Sequence, residues 1–72
     1  MRGETKTDRF ARVAEKRVQR VLDSLRSLSQ CANPRMYEWR PEQTEKMWRA
    51  IEQAMDACRN KFDTARPDEF RF

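Results

Sequence analysis

Seventy-two residues carrying 39% charged and 38% hydrophobic side chains, with sixteen Lys or Arg against twelve Asp or Glu, form at most one small domain. A chain this short buries a modest fraction of its surface unless a disulfide, a metal or a second subunit assists. One glycine, three prolines and no histidine exclude a phosphate-cradling glycine loop and any His-based zinc or acid–base site.

The charge is uneven: residues 1–36 hold nine Lys or Arg against four acids, a balance of +5, and residues 37–72 hold seven against eight, a balance of −1. A basic half attracts nucleic acid, acidic proteins or anionic surfaces, and net charge alone does not choose among them. No apolar run reaches the length of a signal-peptide core or a membrane span, so a cytoplasmic protein with free thiols and no membrane partner is expected.

The first element opens at Thr5–Asp8, a shortened capping box. Ala11, Ala14, Val18, Val21, Leu25 and Leu28 then recur every three or four residues, flanked by Phe10 and Leu22, which predicts a helix over about residues 6–31. Asn33-Pro34 is expected to stop it, because proline disfavours helical geometry in the residue before it and donates no N–H. On this helix Arg9, Arg12, Lys16 and Arg20 fall within an arc of about 80°, one cation per turn, nearly opposite the apolar stripe. Such a ridge can follow a phosphate backbone or meet an acidic protein groove. The plainer account is a solubilising face with Asp8, Glu15 and Asp23 interspersed.

The connection, residues 32–40, contains Tyr37 and Trp39 beside Arg35 and Arg40. Both rings can fold over the open end of a helix pair and meet Leu28, Met47 and Trp48. Alternatively they anchor a protein partner, where Trp, Tyr and Arg carry disproportionate binding energy, or stack on unpaired bases.

Pro41 suits the first position of a second helix over about residues 41–65, with Thr44, Trp48, Ile51, Met55, Cys58 and Phe62 as its stripe and Met47 and Ala54 beside it. Glu45, Glu52, Asp56 and Asp63 edge that stripe and can pair with Arg17 or Lys16 across a helix–helix interface. Cys58 reads as a small core hydrophobe. Residues 66–72 make a short tail with Phe70 and Phe72.

Two amphipathic helices and a turn predict an all-α protein, an antiparallel helical hairpin in a single domain. Its single shared seam leaves apolar surface uncovered, so either a homodimeric four-helix bundle or a tail-covered monomer is expected. No Ser or Cys has an activating base nearby, so the chain is read as a non-enzyme without cofactor or metal.

Arg17-Val18, Leu25 and Leu28, Asn33, Tyr37-Glu38-Trp39, Glu45-Lys46 and Met47-Trp48 together give a pattern over residues 17–62. It resembles small helical proteins carried by phages and integrative mobile elements of Gram-positive and gut actinobacterial hosts. The chain departs from that pattern at Arg40-Pro41, where the group has a threonine cap. The resemblance implies provenance in a mobile element, where small non-enzymatic proteins bind host machinery, anti-CRISPR inhibitors among them. The leading expectation is thus a non-catalytic protein that docks on a larger protein or nucleoprotein complex. A dimeric nucleic-acid binder and a structural oligomerisation module are the alternatives.

Overall fold

The computed structural model describes residues 3–65; the expected tail with Phe70 and Phe72 lies outside them. The described residues are all-α, two helices and no strand, in the element order that a helical hairpin requires. The chain divides into two units, Met1–Glu38 and Trp39–Phe72, each carrying one helix.

In the first unit, α1 spans Lys6–Ser29, 24 residues, about 36 Å at 1.5 Å per residue. Its start is the capping box anticipated from Thr5 and Asp8. Thr5 is extended at φ −79° and ψ 169°, its Oγ1 accepts the Asp8 N–H at 3.0 Å, and Asp8 Oδ2 accepts the Thr5 N–H at 3.3 Å. Two otherwise orphaned donors of the first turn are thereby satisfied.

The far end differs from expectation. The helix ends at Ser29, two residues before the predicted limit and four before Asn33. Ser29 Oγ donates to the Arg26 carbonyl at 2.6 Å, the acceptor that a continuing α-helix would offer to Gln30. Gln30, Cys31 and Ala32 instead donate three residues back, to Ser27, Leu28 and Ser29 at 3.1, 2.9 and 3.0 Å. The helix tightens into a 3₁₀-like tail and runs out.

Asn33-Pro34 therefore does not stop α1 but starts a new turn. The Asn33 carbonyl accepts from Met36 and Tyr37 N–H at 3.0 and 2.9 Å, and its side-chain Oδ1 accepts from Arg35 N–H at 3.1 Å. Asparagine at the first position and proline at the second are the residue types such a turn favours.

In the second unit, α2 spans Pro41–Thr64, also 24 residues, ending one residue before the predicted limit. Pro41 sits at the first helical position, where its missing N–H costs no bond. Arg40, extended at φ −108° and ψ 153°, has no acceptor on its side chain, so the cap is made from the other direction. Gln43 reaches back and its Oε1 accepts the Arg40 N–H at 2.8 Å.

No residue of either helix is buried. On α1 the stripe runs from 40% exposed at Leu25 to 57% at Val21, with Ala14 and Leu28 half-buried. On α2 Trp48 is 49% and Met55 51% exposed, while Thr44, Met47 and Ile51 are half-buried. Cys58, read from the sequence as a core residue, is exposed and, like Cys31, a free thiol.

Candidate functional site

The basic ridge lies on α1, and the structure changes its electrostatics. Glu4, just ahead of the cap residue Thr5, folds over the first turns of the helix and grips Arg12 in a bidentate pair. Arg12 Nε donates to Glu4 Oε2 at 2.8 Å and Arg12 Nη2 to Glu4 Oε1 at 3.1 Å. Arg9 Nε lies 3.7 Å from the same Oε1. The hydrogen bond to Glu4 pushes the Arg12 guanidinium further above its ordinary value.

One carboxylate thus engages two of the four ridge cations. A planar guanidinium fork filled by a carboxylate is the geometry that phosphate recognition would use, so here the ridge's own neighbour occupies it. Lys16 and Arg20 make no ion pair among the described residues. Beyond them Asp23 interrupts the ridge, its Oδ1 accepting from Gln19 Nε2 at 3.0 Å and Arg26 Nη1 at 2.9 Å. The cationic row is bounded at both ends by acids already in use.

Sequence periodicity placed Asp8, Glu15 and Asp23 among the cations but missed Glu4. Asp8 goes to the cap instead, and Glu4 lies outside the helix, eight residues from Arg12, where no helical spacing rule reaches. The available signal was a carboxylate directly before a helix cap, which the positive end of the helix attracts.

The connection residues are displayed rather than covered. In the first unit, Met36 and Tyr37 are 69% and 50% exposed, at the end of the turn nucleated by Asn33. In the second, Trp39 is 43% exposed and precedes Arg40, whose N–H is held by Gln43. Backbone bonds therefore fix the chain at Tyr37 and at Arg40, while Arg35 and Arg40 side chains are solvent-exposed. On α2, Asp56 lies 3.7 Å from Arg59 of its own helix, and Glu45, Glu52 and Asp63 are exposed.

Among the described residues no group of three or more His, Cys, Asp or Glu is placed to hold a metal ion, and no helix is long and apolar enough to cross a membrane. Comparison with protein-family models, with curated proteins and with solved structures finds no match.

Proposed function

We propose that this chain is a non-catalytic protein-binding module that docks on a larger protein or nucleoprotein complex through the segment connecting its helices. The observation that carries this is the exposure of Tyr37 in the first unit and of Trp39 in the second, with the Tyr37 N–H held by the Asn33 carbonyl and the Arg40 N–H by Gln43. Aromatic anchors cost little conformational entropy to immobilise. Arg35 and Arg40 flank them and add the residue type that, with Trp and Tyr, dominates interface hot spots.

A direct nucleic-acid role through Arg9, Arg12, Lys16 and Arg20 is less well supported, because Glu4 already occupies Arg12 and approaches Arg9. Counterion release scales with the number of phosphates neutralised, and two ridge cations without an ion pair among the described residues give a shallow salt dependence.

The test is affinity capture from a lysate of the encoding organism, with and without nuclease, comparing wild type with Tyr37→Ala and Trp39→Ala. Expected is a captured protein that survives nuclease and is lost with either variant, while circular dichroism shows unchanged helix content. Capture abolished by nuclease, or unchanged in both variants, would refute the proposal.

A further inference from the structure

The two helices carry matching apolar stripes. From Ala11 to Leu28 the α1 stripe advances by three, four, three, four and three residues; from Thr44 to Phe62 the α2 stripe advances by four, three, four, three and four. Both are seven-residue repeats with the same alternation, carried by helices of equal length. Over about two and a half heptads a straight helix drifts only about 50° against such a repeat, so each stripe stays on one face along its whole length. Such a face suits another helix with a matching stripe.

The stripes are also wider than a two-helix seam. With Phe10 and Leu22 on α1, and Met47 and Ala54 on α2, each apolar arc spans about 120° at 100° per residue, wider than the narrow first-and-fourth-position seam of a two-stranded coiled coil. A helix with two helical neighbours, as in a four-helix bundle, needs such a width. A second copy supplies further helices with stripes of the same width and repeat.

Charge favours the same occupant. Within its bounds α1 carries seven cations against three acids, and α2 four cations against five acids. Contact between α1 of one copy and α2 of another joins surfaces of opposite net charge, whereas α1 against α1 opposes like charge.

We propose that the heptad stripes of α1 and α2 are a self-association surface through which two copies of this chain pair. The surface is separate from the connecting segment, since neither Tyr37 nor Trp39 lies on a stripe.

Sedimentation equilibrium of the full chain between micromolar and hundred-micromolar concentration tests it. The expected result is a particle of twice the 8.7 kDa chain mass. Val18→Glu and Met55→Glu each place a charge at the centre of a stripe and are expected to weaken association by about a hundredfold or more. Gln53→Glu adds the same charge away from the α2 stripe and leaves the dimer intact, as does Trp39→Ala. Should the glutamate variants lose their helices, Val18→Ala and Met55→Ala provide the same comparison with a smaller shift. A helical wild-type monomer throughout the range, or equal weakening by Gln53→Glu and Met55→Glu, overturns the proposal. Loss of partner capture in Trp39→Ala with an intact dimer separates this surface from the proposed docking segment.

Discussion

Thr5 shows how one side chain sets where structure begins. Its hydroxyl oxygen and the Asp8 carboxylate exchange bonds with each other's backbone N–H, which pins the entry of α1. Thr5→Ala removes the acceptor and is expected to destabilise the folded chain by about 1 kcal/mol, within the 0.5–2 kcal/mol of such caps. Urea unfolding followed by circular dichroism at 222 nm measures it; an unchanged midpoint would mean that α1 is anchored elsewhere. This cap was legible because its two residues lie within one helical turn. The Glu4–Arg12 pair was not, because it joins residues eight apart across a helix boundary, and only the folded path of residues 3–5 brings them together. Its consequence is functional: the same sequence that displays a cationic ridge also supplies the carboxylate that occupies part of it.

At the level of elements, the apolar periodicity located both helices, and their ends depended on finer competition. The start of α2 at Pro41 followed directly from proline's fixed φ. The end of α1 did not, since the sequence offered Asn33-Pro34 as the obvious stop. Ser29 acts first by taking the Arg26 carbonyl, and the poor helix formers Cys31 and Asn33 add no restoring preference. Asn33-Pro34 is then free to nucleate the turn that carries Tyr37. The double variant Asn33→Ala, Pro34→Ala removes both the side-chain acceptor for Arg35 and the restriction on residue 33. Helical Cα chemical shifts are expected to end at Ser29 in that variant as in the wild type, with unchanged ellipticity, because the Ser29 bond to the Arg26 carbonyl remains. Should they continue past residue 32, Asn33-Pro34 shares in setting the boundary. Of the candidate site, the identities of Tyr37 and Trp39 were legible, while the bonds that hold the Tyr37 and Arg40 N–H groups were not. The Gln43 bond to Arg40 supplies the cap that the Arg40 side chain, which has no acceptor, does not provide.

For the molecule as a whole, the decisive fact is that neither 24-residue helix buries a residue. In proteins most helical stability comes from covering an apolar face rather than from intrinsic propensity. If a second copy provides that cover, folding and association are one equilibrium, and stability depends on protomer concentration. A hundredfold increase in concentration then adds about 2.7 kcal/mol by mass action. For a dimer of this size, that corresponds to a rise in melting temperature on the order of 5–10 °C. Thermal melts by circular dichroism at 2 and 200 μM, roughly such a hundredfold interval, read this directly. A unimolecular fold melts at one temperature in both samples, because neither side of its equilibrium changes particle number. A concentration-dependent shift that disappears in Val18→Glu would tie the stability of the helices to the heptad stripes themselves, since that substitution leaves the caps, the connecting turn and the Glu4–Arg12 pair in place.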